Sequence, residues 1–260
     1  MKKLLLDVIF ASEKRNRVIL LLQKGPLEMK VLLRELDTTR QALLPQIRIL
    51  EDHHLVAGSN DSYELTAIGR LIADKMGPLL GTLAVLDNDV DYWGKHWIDF
   101  IPAHLLERIS DIRGCSIVQP SLMNLYEMNM DFIESAKRSG SLFFISSFMQ
   151  PNFSQILRQF VENNIDVSII VNRELLDKMK RESHVSFNKF ISTGRVRFYL
   201  YPGEFKFLSL SLSDDCAVLR LFTIGGGFSN KQLVCCTPEA RGWNKDLFDH
   251  YLKDSIPITD

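Results

Sequence analysis

Arginine, glutamine and threonine side chains are concentrated in one short stretch of the chain. They are Thr38, Thr39, Arg40, Gln41, Gln46 and Arg48. Arginine and glutamine make paired hydrogen bonds to the edges of guanine and adenine, and threonine hydroxyls suit phosphate oxygens. The stretch therefore holds the chemistry needed to read double-stranded DNA. Because the same residue types on an exposed helix often serve only solubility, the elements that carry them decide between these interpretations.

Three helices are predicted in this region. The first covers 13–22, with Ser12 as its N-cap, and the second covers 27–36. The third is predicted from Thr39 to His53, because apolar residues recur at helical spacing and leave the arginines and glutamines largely on the other side. These apolar residues are Leu43, Ile47 and Leu50. The third helix thus presents a polar face.

Pro45 complicates the third helix. A proline inside a helix removes one backbone hydrogen bond and costs about 3 kcal/mol unless it lies in the first turn. Two outcomes are compatible with the sequence: the helix is kinked, or it starts later than Thr39.

A polar turn between two short extended segments follows the third helix. Residues 55–56 precede a polar cluster at 57–62, 63–65 alternate as a strand, and a long helix covers 66–86. The tip residues expected to contact DNA are Asn60, Asp61 and Ser62. Three helices, a hairpin and a further helix are the order of a winged helix-turn-helix, whose third helix enters the major groove. We expect a DNA-binding homodimer, with the long apolar helix as a candidate dimer element.

The charge of this first segment is only weakly basic. Residues 1–86 carry 12 Lys or Arg against 10 Asp or Glu, a net charge of +2, and the rest of the chain carries 19 against 22, a net charge of −3. This asymmetry is compatible with DNA contact but is far from a strongly basic footprint. The prediction therefore rests on the pattern of elements rather than on charge.

An acidic, apolar-poor stretch at 86–91 fits a junction between domains. We place a first domain at 1–87 and a second at 88–260. Strands and helices alternate in the second domain, which predicts an α/β fold with a mainly parallel central sheet. The predicted strands are 116–118, 141–146, 166–171, 195–200, 205–211, 216–223 and 233–237, and the predicted helices are 122–138, 151–163, 173–189 and 243–253.

Polar residues occur at the ends of several predicted strands of the second domain. They are Ser146, Ser147, Asn172 and Tyr201. Ligands of α/β sheets bind near the carboxyl ends of strands. These residues are therefore candidate contacts for a small-molecule effector.

The sequence contains no catalytic or metal-binding pattern. The glycines at 225–227 lack a phosphate-binding motif, and the six histidines are scattered without a nucleophile motif. The four cysteines, Cys115, Cys216, Cys235 and Cys236, lack metal-ligand spacing. We expect reduced, buried thiols, with a redox role for Cys235 and Cys236 as the less favoured alternative. We expect no enzyme activity, no cofactor and no metal ion.

Six segments carry a resemblance to known families. Residues 50–56 together with 63–70 look like the stretch that closes winged-helix repressors of the ArsR and MarR type. Over almost its full length the chain resembles the methanogenesis regulatory family of methane-producing archaea, through 100–109, 143–147, 166–171 and 243–251. That resemblance implies an N-terminal winged helix followed by a regulatory domain.

The second domain also resembles the phospholipase-D-like sensor domains of sugar-responsive TrmB regulators. True phospholipase D carries His-x-Lys followed by Asp, whereas this chain has Phe205-Lys206-Phe207, with Asp214 and Asp215 later. Without the histidine there is no nucleophile. The resemblance therefore implies a domain that does not hydrolyse phosphodiesters.

The chain is expected to be cytoplasmic and not to enter a membrane. Asp7 interrupts the first apolar run, which argues against a signal peptide, and no stretch has the roughly 18–20 apolar residues that cross a bilayer. Two alternatives to a regulator stay open: an α/β enzyme with an accessory winged helix, and a winged helix that binds another protein. The enzyme would need convergent polar groups of shifted pKa, and salt-dependent binding would separate DNA contact from protein contact.

Overall fold

The chain folds into two compact units in a computed structural model that describes residues 4–121, 128–148, 150 and 152–259. The units are Met1–Leu80 and Gly81–Asp260. The boundary predicted from the sequence, at 87, lies a few residues further along. The observed boundary falls within one long helix, Ala67–Leu86, and the predicted one lies just after the end of that helix.

The first unit combines helices with a small sheet. Its helices are α1 (Leu5–Phe10), α2 (Glu13–Leu22), α3 (Met29–Glu35), α4 (Arg40–Asp52) and α5 (Ala67–Leu86), and its strands are β1 (Leu27–Glu28), β2 (Val56–Ser59) and β3 (Ser62–Leu65). The predicted trio of helices corresponds to α2, α3 and α4, and the predicted hairpin and long helix to β2, β3 and α5. This is the order of a winged helix-turn-helix. The sequence did not reveal α1, since six residues are too few to show a helical period.

Thr39 sets the start of α4. Its side chain accepts a hydrogen bond from the backbone N–H of Ala42, 3.4 Å away, and so caps the helix. The helix begins at Arg40, one residue after Thr39, and Pro45 lies in its interior. The apolar residues at helical spacing are fully buried, as predicted: Leu43, Ile47 and Leu50.

The tip of the wing is a turn of two residues with left-handed backbone. Asn60 (φ 49°) and Asp61 (φ 63°) join β2 to β3, and Ser59 pairs with Ser62 across the turn. Two consecutive positive φ values match the twist of a two-residue hairpin, and Asn and Asp tolerate them better than most residues do. The tip is therefore fixed by its own sequence.

The wing is held by a third strand. β1 pairs antiparallel with β3, with Leu27 opposite Tyr63 and Glu28 opposite Ser62, so the sheet order is β1-β3-β2. The sequence predicts these two residues as the start of a helix, because a strand of two residues shows no alternation. The pairing connects the wing to the chain segment just before α3.

A continuous apolar core supports the first unit. It includes the fully buried side chains of Val18 and Ile19 from α2, Met29 and Leu32 from α3, and Leu55 before the wing. Burial of apolar surface stabilises by about 25 cal/mol per Å². Because α4 contributes its apolar side to this core, its other side faces solvent.

The second unit is built on an eight-stranded sheet. The strands are β4 (Ser116–Val118), β5 (Ser141–Ser146), β6 (Asp166–Val171), β7 (Val196–Leu200), β8 (Ser209–Leu212), β9 (Ala217–Arg220), β10 (Gln232–Cys235) and β11 (Ile256–Ile258). Their spatial order is β11-β7-β6-β5-β8-β9-β10-β4. The helices are α6 (Val90–Lys95), α7 (Ala103–Leu106), α8 (Met130–Ala136), α9 (Phe153–Glu162), α10 (Arg173–Ser192) and α11 (Pro238–Lys253), with a 3-10 helix at Ile109–Ile112.

The sheet is mixed. β5, β6 and β7 pair in parallel, because α9 and α10 carry the chain back between them. All other pairings are antiparallel. A parallel crossover usually needs a helix, and the described connections between β8, β9 and β10 contain none. The α/β fold class is confirmed, but the description of the sheet as mainly parallel holds only for β5 to β7.

Several predicted elements differ from the observed ones at their ends. The helix predicted at 122–138 corresponds to α8, and 122–127 lie outside the described residues. The helix predicted at 151–163 corresponds to α9, and Pro151 also lies outside them. α11 begins earlier than predicted, at Pro238, because the Thr237 side chain accepts a hydrogen bond from the Ala240 N–H and caps the helix there. β11 was not predicted.

Apolar layers cover both faces of the sheet. On one face, Trp243, Leu247 and Phe248 of α11 are fully buried. On the other face, Leu157 and Phe160 of α9 are almost fully buried. This burial on two sides explains why β5 and β6 contain unbroken apolar stretches, at 142–145 and 169–171, rather than a strict alternation.

The four cysteines form two disulfides across neighbouring strands, Cys115–Cys235 and Cys216–Cys236. β10 lies between β9 and β4, and Val234 pairs with a residue of each. Adjacent side chains of a strand point to opposite faces, so Cys235 is buried and Cys236 is exposed. The expectation of reduced thiols is therefore wrong. The sequence did not reveal the disulfides because the paired cysteines lie far apart along the chain.

Candidate nucleic-acid interface

The exposed face of α4 carries Gln41 and Arg48. Both side chains are exposed, and they share one face because seven residues make almost two helical turns. Arg48 has no hydrogen bond or ion pair to any residue that the structure describes. Its five N–H donors are therefore free to bind another molecule.

Arg40 and Asp61 connect the start of α4 to the tip of the wing. The guanidinium donates two parallel hydrogen bonds to the carboxylate, Nη1 to Oδ2 at 2.8 Å and Nη2 to Oδ1 at 2.6 Å. The hydrogen bond lowers the pKa of Asp61 and raises the pKa of Arg40. Both side chains are about half exposed, so water screens the attraction. The pair acts mainly by fixing the wing tip beside the helix.

Gln46 is engaged within the first unit. Arg15 of α2 donates from Nη1 to Gln46 Oε1 at 2.8 Å, and from Nε to the carbonyl of Val8 in α1. Arg15 is only 9% exposed, so its charge depends on these acceptors. The Gln46 oxygen is thus occupied, and the side-chain amide nitrogen is the group that could donate a hydrogen bond to DNA.

The remaining predicted contacts surround these elements. Asn60 is exposed at the wing tip, and the hydroxyl of Thr39 is exposed at the cap of α4. Thr38 and Ser62 are half-buried, and Ser62 pairs with β1 through Glu28. The structure thus brings Thr39, Arg40 and Asp61 to one end of α4.

Arg15 is the residue of this site that sequence reasoning missed. It lies on α2 in line with Val18, Ile19 and Leu22, all of them buried. Spacings of three, four and seven residues define one helix face. A charged residue on the apolar face of a predicted helix was the signal that could have revealed it.

In the second unit, Ser146 lines a pocket together with Phe144 and Val171. The Ser147 hydroxyl donates to the Leu208 carbonyl at 2.9 Å, and Asn172 Oδ1 accepts from the Leu175 N–H at 2.9 Å to cap α10. Tyr201 stacks on Phe205 with ring centroids 5.1 Å apart, on the other face of the sheet. The sequence shows where a strand ends, but it does not show on which face of the sheet the side chains after that end lie.

The segment compared above with the His-x-Lys motif of phospholipase D is largely apolar in this chain. Phe205 and Phe207 are buried against Tyr251, with ring centroids 5.7 Å and 5.3 Å from it. Asp214 accepts a hydrogen bond from the Gly140 N–H at 2.7 Å, and Asp215 is paired with an arginine. Within the described ranges, no group of three or more His, Cys, Asp or Glu side chains is placed to hold a metal ion.

No described helix is both long enough and apolar enough to cross a bilayer.

Solved structures with partly similar chain paths include two of different kinds. One is TrmBL2, an archaeal chromatin protein, with 13% identity, a TM-score of 0.43 and coverage of 94% of each chain. Another is a phosphatidylserine synthase of Haemophilus influenzae Rd KW20, with 12% identity, a TM-score of 0.36 and coverage of 46% of this chain and 34% of the other. TM-scores at this level do not establish a common fold.

Family models match most of the chain. The N-terminal domain model of the methanogenesis regulatory protein FilR1 matches residues 4–84, and the middle domain model matches residues 125–254. The FilR1 protein of Methanothrix harundinacea (strain 6Ac) is 21% identical over 255 residues, which cover 95% of this chain and 56% of that relative. The chain therefore spans little more than half of the relative's length. It belongs to the family of the methanogenesis regulatory protein FilR1.

Proposed function

We propose that this protein is a sequence-specific DNA-binding transcription regulator that acts as a homodimer and whose second unit senses a small-molecule effector. The observation that carries the proposal is the exposed face of α4, where Gln41 and Arg48 are free beside a wing that is tied to the same helix. Membership of a regulatory family supports it. The DNA sequence specificity, the dimer and the effector are what the proposal adds.

The contacts with DNA follow from the placement of these side chains. α4 enters the major groove, where Arg48 donates to O6 and N7 of guanine and Gln41 pairs with adenine. Thr39 and the first backbone N–H groups of α4 contact a phosphate, and Asn60 contacts the backbone from the wing. Because Asp61 neutralises Arg40, binding depends less on charge than in strongly basic domains.

Exposed apolar side chains on α5 support a homodimer. In the first unit, Ile68, Leu71 and Leu79 lie on one face of α5 and are 50%, 66% and 50% exposed. A second copy would bury these side chains, and a two-fold axis between the copies would set two α4 helices about 34 Å apart, in successive major grooves. Leu71→Glu is expected to give a monomer in light scattering, while Leu106→Glu, an exposed leucine of α7, leaves the dimer intact.

The proposal assigns no catalytic activity to the second unit. The described groups with large pKa shifts are Tyr92, Arg220 and Tyr251. Burial is the main cause for each: it raises the pKa of both tyrosines and lowers the pKa of Arg220 to about 10. A catalytic pair would instead show two titratable groups acting on one another in a cleft.

The test is a binding titration against duplex DNA from upstream of the protein's own gene, at two salt concentrations and with random duplex as competitor. A regulator binds tightly, resists the competitor and loses affinity as salt rises, because phosphate contact releases counterions. Failure to bind any duplex would leave the winged helix as a protein-binding module.

A further inference from the structure

We infer that the pocket between β5, β6 and β8 of the sheet and helices α9 and α10 binds a small, uncharged molecule that has an apolar body and one or two hydrogen-bonding groups. This inference rests on the proposed function, since it names the ligand class of the sensing unit. The pocket lies at the carboxyl ends of the parallel strands, on the face that α9 and α10 cover.

The walls of the pocket are mostly apolar. They include Phe144 and Val171 from the sheet, Phe153 from α9, and Leu175 and Met179 from α10. The space inside it that a water-sized group can occupy is about 20 Å³, and the roughly 410 Å³ counted out to its mouth includes open solvent. The pocket is narrow, so the matching ligand inserts a thin chain of a few carbon atoms.

Three polar groups in this apolar pocket have unused hydrogen-bonding capacity. Ser209 and Ser211 stand on one face of β8 and line the pocket, and neither hydroxyl bonds to a described residue. Gln150 also lines the pocket, and its buried Oε1 has no partner among the described residues. Buried polar groups without partners are costly, and native structures satisfy nearly all of them. A ligand hydroxyl, thiol or amide would satisfy these groups and displace any water held there.

The charge of the walls excludes an ionic ligand. No Asp, Glu, Lys, Arg or His is among the described residues that line the pocket. An ion moved from water into such a pocket loses its hydration without gaining a counter-charge. Arg220 pairs with Ser209 across β8 and β9 and is 4% exposed, but it does not line the pocket. The ligand is therefore neutral.

The experiment compares probes of equal length and different charge on the full chain. 1-Butanol, butyrate and butylamine are titrated into the oxidised protein, and binding is followed by saturation-transfer NMR. We expect saturable binding of 1-butanol, with butyrate and butylamine at least about tenfold weaker. This measurement does not involve DNA, so its failure is distinct from failure of the proposed function.

Two variants locate the site. Ser209→Ala combined with Ser211→Ala removes the hydroxyls without adding bulk, and is expected to weaken 1-butanol binding by about fivefold. Ser168→Ala is the matched control, because Ser168 lies on β6 but points to the other face. The apolar probe 1-chlorobutane should bind all three proteins equally, which shows that the pocket stays intact.

Three results would overturn the inference. They are the absence of saturable 1-butanol binding, butyrate or butylamine binding as tight as that of 1-butanol, and an equal effect of the Ser209/Ser211 change and the Ser168 change. Weak butanol binding that depends on Ser209 and Ser211 supports it, whether or not the protein binds the DNA tested.

Discussion

The exposed face of α4 and the pocket between β5, β6 and β8 use polar side chains in opposite ways. On α4 the polar groups are exposed, charged and partly paired with each other, as Arg40 is with Asp61. In the pocket they are few, neutral and surrounded by apolar side chains. An exposed charged surface suits a large polyanion, whereas a neutral, mostly apolar pocket suits a small molecule. We therefore expect the two units to differ in how they respond to salt, to reductant and to substitution.

Reductant gives the largest contrast between the two units, because all four cysteines lie in the second unit. The double substitution Cys115→Ala and Cys235→Ala removes the disulfide whose cysteines are 120 residues apart in the sequence. Because that disulfide restricts the unfolded chain, its loss should lower the free energy of unfolding by about 5 kcal/mol. The double substitution Cys216→Ala and Cys236→Ala removes the disulfide whose cysteines are 20 residues apart, and should lower the free energy of unfolding by about 3 kcal/mol.

Urea unfolding followed by tryptophan fluorescence tests this prediction. The three tryptophans, Trp93, Trp97 and Trp243, all belong to the second unit, so their fluorescence reports on that unit alone. Dithiothreitol should shift the fluorescence transition to lower urea concentration. An unchanged fluorescence transition in dithiothreitol would contradict the prediction that the disulfides stabilise the second unit.

Arg48→Ala should give the largest single effect on DNA recognition. Loss of a paired contact to guanine costs about 1–3 kcal/mol, or roughly 5- to 150-fold in specific affinity, with a smaller loss for random duplex. Arg158→Ala, an exposed arginine of α9, removes the same charge from the second unit and serves as the control. Competition titrations measure both. If both variants lost specific DNA affinity equally, Arg48 would not contact a base.

Gln46→Ala separates support of the fold from contact with DNA. The change removes an acceptor from the buried Arg15, which should lower the free energy of unfolding of the first unit by about 1–3 kcal/mol. Specific and non-specific DNA affinity should then fall to the same extent. A selective loss of specific binding, with unchanged stability by circular dichroism, would instead assign Gln46 to a base contact.

Asp61→Asn should have the smallest effect and the opposite sign. It frees Arg40 and removes a negative charge at the wing tip, so affinity for random duplex should rise a few-fold at low salt. Acidification acts in the same direction: the ion pair is present above the ordinary pKa of an aspartate and is lost as pH falls through the depressed pKa of Asp61. Titrations at several pH values would detect this, and unchanged affinity would contradict it.

Periodic patterns made much of the fold predictable. The apolar spacing of α4 and the alternation of strands and helices around β5, β6 and β7 are local signals. The β1 strand and the antiparallel half of the sheet were harder to predict, because pairing between distant segments leaves no local pattern. The disulfides were missed for the same reason: Cys115 lies 120 residues from its partner.

The candidate sites were predictable to different degrees. The polar face of α4 follows from helix geometry alone, but the engagement of Gln46 by Arg15 depends on how three helices pack. In the second unit, Ser146 was predicted as a candidate because it ends a strand, and it lines the pocket between β5, β6 and β8. Ser209 and Ser211 lie within a strand that is buried on both faces. Their importance comes from the neighbouring helices, which the sequence of β8 does not reveal.

The two disulfides on either side of β10 constrain evolution of the second unit. One residue inserted in or deleted from β10 would exchange the faces of Cys235 and Cys236, and neither would meet its partner. The strand therefore tolerates substitution but not a change of length. Related proteins that keep all four cysteines should conserve the length of β10, while insertions and deletions accumulate in the connection at 221–231.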